Sequence, residues 1–467
     1  MLSVYRKFLL PVCLCFFAVM ANAQVNKKIS VWLTDPGNNV FFQKQADLSF
    51  ANGTAKVPSI VINEKKQYQS IDGFGFALTG GSAMNLMKMG KESRSHLLKE
   101  LFGTDANHIG TSYLRVSVGA SDLNEKVFSY DDLPEGQTDT GLVHFNLGPD
   151  KRDVIPVLKE ILKINPAIKI MASPWSPPAW MKDNKDTKGG SLLKEYHAVY
   201  ARYLVKYILA MRRQGIRIDA MTVQNEPLNP GNNPSLLMLA PDQADFVKNH
   251  LGPAFRKAKI DTKIIIYDHN ADKPEYPISI LNDPEAKKYI DGSAFHMYGG
   301  KIEALSKVHE AHPDRNLYFT EQWIGAPGNF AGDILWHVEN LIIGATRNWA
   351  KTVIEWNLAS DPEYKPYTDR GGCTTCLGAV TIAGDQFTRN PAYYIIAHAA
   401  RFVRPGSVRM ESSSKDVYPN VVFRTPTGKM VAIVLNNTRT AGDFRLQYKG
   451  MSVNRNLPAG AVATYVW

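Results

Sequence analysis

From about residue 68 to residue 400, short β-rich apolar runs alternate with longer helical patterns, and this alternation restricts the fold more than any other feature. Candidate strands fall at 71–77, 111–118, 168–175, 218–225, 263–268, 293–298, 316–321 and 351–357. Several are apolar without a break, such as Ile264-Ile265-Ile266, as expected for parallel strands covered on both faces. Between them, residues 153–164 (DVIPVLKEILKI) carry apolar side chains at three-to-four spacing, and 195–213, 334–349 and 391–403 read the same way. Eight strand–helix units predict an α/β fold, a (β/α)8 barrel over residues 67–404, with its first unit the least regular. The flanks differ. Residues 24–66 and 405–467 hold short alternating segments at 57–62, 421–424, 430–435 and 461–467, separated by turn signals such as Asn52-Gly53 and Pro458-Ala459-Gly460. They predict a small β-sandwich built from both chain ends.

Residues 1–23 follow another logic. Arg6 and Lys7 precede an almost wholly apolar run from Phe8 to Met20, and Ala21-Asn22-Ala23 has the small-x-small form of a cleavage site. This predicts a secretory signal removed after Ala23 and a secreted, periplasmic or cell-surface protein. No other stretch is apolar enough to span a bilayer. Hydrophobic residues make up 44% and charged residues 21%, which excludes a disordered or fibrous chain. The net charge of +10 is scattered, a solvated surface and not a nucleic-acid footprint. Cys373 and Cys376 form a C-x-x-C pair. In the cytosol that spacing would suit a redox pair or half a zinc site, but no second pair completes a zinc site, and export favours a structural disulfide.

In a parallel barrel, catalytic groups come from the C-terminal ends of strands. The fourth candidate strand ends in Thr222-Val223-Gln224-Asn225-Glu226-Pro227, where Pro227 is expected to hold Glu226 extended. The seventh ends in Tyr318-Phe319-Thr320-Glu321-Gln322-Trp323. Either acid alone could be structural. Together, Glu226 and Glu321 face each other across the barrel mouth, the arrangement glycoside cleavage requires: one acid to protonate the leaving oxygen, one carboxylate to attack or to activate water. The separation that would decide between these is not legible in a sequence. Trp175, Trp180, Trp323 and Trp356 fall at strand ends or loops, where aromatic faces can pack on pyranose rings. His269 and His296 are too isolated in the chain to suggest a metal cluster, and the chemistry needs no cofactor.

These stretches carry a resemblance. Asn225-Glu226-Pro227, Ile71-Asp72-Gly73-Phe74-Gly75-Phe76-Ala77, Leu114-Arg115-Val116-Ser117, Ser173-Pro174-Trp175-Ser176-Pro177-Pro178-Ala179-Trp180 and Trp356-Asn357-Leu358 occur in the order seen in glycoside hydrolase family 30, which the chain resembles over most of its length. That family contains glucosylceramidases and endo-β-1,6-glucanases. The resemblance implies Glu226 as acid/base and Glu321 as nucleophile of a retaining enzyme, with an acid of raised pKa and a nucleophile of low pKa. It implies Asn225 on the sugar 2-hydroxyl, Arg115 beside Glu321, and Tyr298 with His296 in the same site. Asp122 and Trp175 would bind hydroxyls, and Trp356 would shape the wall. The segment Arg370 to Cys376 resembles the endo-β-1,6-glucanase branch, so a β-glucan is the expected substrate. A glucosylceramidase-like, exo-β-glucosidase or β-xylosidase activity is the alternative, and a non-catalytic carbohydrate-binding protein is the reading from another class. Oligomeric state is left open, with a monomer as the expectation.

Overall fold

The computed structural model describes residues 28–51, 56–105, 108–413 and 418–467; the expected signal segment lies outside them. Eight parallel strands close into a barrel: β1 (Gly73–Ala77), β2 (Tyr113–Val118), β3 (Lys169–Pro174), β4 (Ala220–Thr222), β5 (Lys263–Ala271), β6 (Ile290–Gly300), β7 (Asn316–Glu321) and β8 (Ala350–Glu355). Each strand pairs with the next in chain order, and β8 closes on β1. Several strands differ from the sequence expectation, and β6, expected at 293–298, runs from Ile290 to Gly300. β4 is only three residues long, because the chain bends at Val223 to set up the loop carrying Glu226. β5 runs on to Ala271, past the apolar Ile264-Ile265-Ile266 run into a polar tail.

The barrel interior is filled by Tyr113, Met171, Ala220, Ile265, Ala294, Tyr318 and Ile354, one inward side chain from most of the strands. Glycine is required at Gly75, where a Cβ would stand 1.8 Å from the Tyr113 carbonyl oxygen. Outside the strands, helix Val154–Ile164 shows why the apolar spacing works. Val154, Val157, Leu158 and Ile161 form one buried stripe, each worth about 1.5–3 kcal/mol, and Pro166 stops the helix after Asn165.

The second layer is a ten-stranded, largely antiparallel assembly. Strand Lys28–Asp35 pairs with Val462–Val466, and Ser59–Ser70 pairs with Val408–Ser412 and Gly442–Tyr448, so both chain ends contribute. Its own core includes Ile29, Val31, Ile60, Val422, Val434, Phe444 and Tyr465. His398, on helix Pro391–Ala400, joins the two layers. Its ring nitrogens lie 2.8 Å from the Thr34 and Thr464 hydroxyls, one from each end of the chain.

Burial depresses His398 from 6.5 to about 3, so the folded protein keeps it neutral while the unfolded chain charges it. The unfolded state therefore binds more protons between those values, and the stability held above pH 6.5 is lost as pH falls toward 3. Chemical unfolding between pH 7 and 4 should show this decline. His398→Ala should cost about 1–3 kcal/mol at pH 7 and flatten the decline; an unchanged slope would remove His398 as its source.

Candidate active site

A cleft of about 500 Å³ opens over the C-terminal ends of the strands, and Glu226, Glu321, Asp122, His269, Tyr298, Trp323, Trp356 and the Cys373–Cys376 pair are among its walls. Glu321 is the last residue of β7. Glu226 lies four residues past β4, and its N–H donates to the Asp268 carbonyl at 2.9 Å. The expectation that Pro227 holds Glu226 extended is corrected: φ is +44°, in the left-handed region. Such backbone costs about 1–3 kcal/mol and persists where surrounding bonds over-determine it, commonly at functional sites.

Both acids are buried, at 6% exposure. One oxygen of each, together with a nitrogen of His296, lies within 4.8 Å of the others. An approach this close suits a retaining pair, with carboxyls about 5 Å apart, better than the water-admitting gap of roughly 6.5–9.5 Å in an inverting one.

Two cations hold that pair. Arg115, fully buried on β2, donates from Nη1 to Glu321 Oε2 at 2.5 Å and from Nη2 to Asn225 Oδ1 at 2.7 Å and Asp268 Oδ2 at 2.8 Å. Its guanidinium stacks over Trp175, 4.8 Å from the ring centre. His296 spans Asp268 Oδ1 at 3.1 Å and Glu226 Oε1 at 3.3 Å, with Glu321 Oε1 at 3.8 Å. Burial would discharge this imidazole, but Glu321, Asp268 and Glu226 outweigh it and raise it to about 9. Tyr298 donates its hydroxyl to Glu321 Oε1 at 2.9 Å, and Asn229 donates to Glu226 Oε2 at 2.8 Å.

The expected order of the two acids is inverted in the open cleft. Burial pushes Glu321 up, and the charges of Glu226 and Asp268 add to it against His296 and Arg115. Burial acts on Glu226 too, yet hydrogen bonds from His296 and Asn229 and the charges of His296 and His269 hold it below its ordinary value. His296, raised by the same acids, is one hydrogen bond away from Glu226.

Asp122 lines the cleft, and burial followed by the two glutamate charges pushes it up to about 8. Trp323 and Trp356 line it and are bridged backbone to backbone. Trp175 is 2% exposed, stacked on Trp356 at 5.5 Å between ring centres with the Arg115 guanidinium beside both rings, so it offers little open face to a sugar. Trp180 is also core, donating its indole N–H to the Asp131 carbonyl. Cys373 and Cys376 are bonded. His269 and His296, isolated in the chain, both reach Glu226, His269 at 3.9 Å. Glu226, His296 and Glu321 are close enough to surround a metal ion, and one of the three, Glu321, is already held by Arg115.

Sequence reasoning missed Asp268. It is fully buried with φ +64°, and accepts from Arg115, His296, Ser173 Oγ (2.7 Å) and Thr320 Oγ1 (2.6 Å). Burial opposes its charge, but Arg115 and His296 keep it far below the usual carboxylate range. The signal was present: Tyr267-Asp268-His269-Asn270 ends an apolar strand just as Glu226 and Glu321 do.

Residues 71–403 match the glycosyl hydrolase family 30 TIM-barrel domain and residues 406–465 the family 30 beta sandwich domain. An endo-1,6-beta-D-glucanase of Aspergillus fumigatus is 32% identical over 425 residues, covering 85% of each chain. The lysosomal acid glucosylceramidase of Mus musculus is 29% identical over 448 residues, 89% of this chain and 85% of its own. The solved endo-beta1,6-glucanase BT3312 superposes with a TM-score of 0.87 at 34% identity, covering 94% of this chain and 99% of its own.

Replacing Asp268 by Ala leaves Arg115 and His296 without their shared anion and should destabilise the fold by about 3–5 kcal/mol. Urea unfolding checks this, and a wild-type midpoint would show that Asp268 does not carry the load placed on it.

Proposed function

Since the chain belongs to glycosyl hydrolase family 30, a family of retaining glycosidases, we propose that it cleaves internal β-1,6 linkages of a β-glucan by double displacement. The observation that carries the chemistry is the approach of the two acid oxygens within 4.8 Å over an open cleft. The linkage rests on the relatives named endo-1,6-glucanases, one of which shares the fold over 94% of this chain.

In the first step Glu321 attacks the anomeric carbon. The bond to the departing glucan breaks with its electron pair on the glycosidic oxygen, which takes a proton from Glu226. That proton reaches Glu226 from His296 Nδ1, 3.3 Å away. In the second step Glu226 removes a proton from water and passes it back to His296, the hydroxyl attacks the same carbon, and Glu321 departs. Arg115 and Tyr298 stabilise the Glu321 carboxylate that leaves. Asn225 gives its carbonyl to Arg115, which frees its amide N–H groups for the sugar 2-hydroxyl. Trp323 and Trp356 supply aromatic walls, and Asp122, protonated near neutrality, can donate to a hydroxyl. Trp175 has no acceptor for its indole N–H among the described residues, so a sugar hydroxyl is a fitting partner. The basic–apolar–small pattern of residues 1–23 and the Cys373–Cys376 bond support export with cleavage near Ala23.

Glu321→Ala should abolish turnover with the fold nearly intact. Glu226→Ala should slow glucan cleavage about 10²–10⁴-fold and affect activated aryl glycosides far less; equal losses on both would overturn its role. On β-1,6-glucan, β-1,3-glucan and xylan, short β-1,6 oligomers are the expected product. Glucose alone would replace endo action by exo action.

A further inference from the structure

Away from the cleft, a second cluster of ligand-type side chains converges where two neighbouring helices meet. His197 opens helix His197–Arg213, which follows β3. Asp245 and His250 lie on the helical run after β4, Ala240–Phe246 continuing through Val247–Leu251 into Gly252–Lys257. One nitrogen of each histidine and one Asp245 oxygen lie within 4.8 Å of one another. None of the three residues lines the cleft.

The backbone is what makes this possible. Asp245 and His250 are five residues apart, which in an α-helix would point them about 140° away from each other. Val247–Leu251 is instead a π-helical turn, whose i to i+5 repeat brings the sixth residue back over the first. Such turns interrupt the regular ladder and occur often at functional sites. On the facing helix, the buried His197 ring is steadied by a hydrogen bond to the Leu192 backbone and stands perpendicular to His250, with ring centres 5.2 Å apart. Its Nδ1 is 3.5 Å from Asp245 Oδ2. Two ligands bound to one tetrahedral zinc ion at ordinary bond lengths stand about 3.4 Å apart. The other Asp245 oxygen accepts from Asn249 Nδ2 at 2.6 Å, so both His197 and Asp245 carry the supporting hydrogen bond usual for metal ligands.

We propose that His197, Asp245 and His250 bind a divalent transition ion of the zinc class and clip the helix after β3 to the helix after β4. Two imidazoles and one carboxylate favour such an ion over calcium or magnesium, which prefer oxygen ligands. Asp245 keeps 45% of its side-chain surface exposed, which leaves a fourth position for water and a path for the ion. The ion acts on the scaffold, holding two adjacent units of the barrel, and takes no part in glucan cleavage.

Titration calorimetry with zinc chloride on the chelator-treated full-length enzyme tests this, with magnesium chloride as a control. One zinc per chain is expected, with no magnesium response at matched concentration, together with a higher thermal midpoint in zinc. His250→Ala should weaken zinc binding about 100-fold or more and lose the thermal shift, while its glucan hydrolysis stays at the wild-type rate. Asp245→Asn, a near-isosteric change, should weaken binding in the same direction and guards against a folding artefact in the first variant. Glu321→Gln should bind zinc as the wild type does. A wild-type chain that takes up no stoichiometric zinc would overturn the proposal, as would zinc binding that survives His250→Ala but is lost in Glu321→Gln, which would place the ion in the cleft.

Discussion

Two acids whose oxygens lie within 4.8 Å of each other in a buried site repel by about 3 kcal/mol or more when both are charged. The active site therefore depends on what stands between them. His296 reaches both acids, Arg115 holds Glu321, and Asp268 holds both cations in place. Arg115 could not be fully buried without three oxygen partners and the face of Trp175, and β2 places it where all of these are in reach. Much of the nearby structure is the scaffolding of this charge cluster: Ser173 from β3, Thr320 from β7 and Asp268 from β5 each supply one of its bonds.

The same cluster explains the unusual backbone beside it. Glu226, Tyr267 and Asp268 all have positive φ. The Glu226 N–H is anchored on the Asp268 carbonyl, and the Tyr267 N–H on Gln243 Oε1 at 2.8 Å. Regular strand geometry would turn successive side chains to opposite faces. The left-handed residues break that alternation, so that Asp268 and Glu226 both meet His296.

This distinction separates what the sequence displays from what it conceals. The barrel was legible because strand and helix periods differ, and Glu226 and Glu321 because each ends an apolar run. Asp268 ended such a run too, but without a partner in an obvious pairing it read as the last residue of a strand. The burial of Trp175 was hidden because an aromatic at a strand end can face either the opening or a neighbouring ring, and the stacking of Trp356 and Arg115 decides between them. The inverted order of the two glutamates was hidden for a related reason: it follows from the position of His296, which is 70 residues from Glu226 in the chain and 3.3 Å from it in space.

Chemistry and specificity are carried by different parts of the fold. The charge cluster sits on the barrel strands, except Glu226, which is on the turn just past β4 and is pinned to Asp268 by its N–H. The rim is built from loops, and these are tied to one another. Arg370 makes a paired contact with Asp186, joining the loop after β8 to the loop after β3. Asn233, from the loop after β4, donates to the Asp369 carbonyl. The Cys373–Cys376 turn pairs with Ile324–Gly325 beside Trp323. A rim cross-linked in this way loses little freedom when a polymer lies across it, so less of the binding free energy goes into ordering loops. Changes in these loops can redirect the enzyme to another sugar while Arg115, Asp268 and His296 keep the two acids in place.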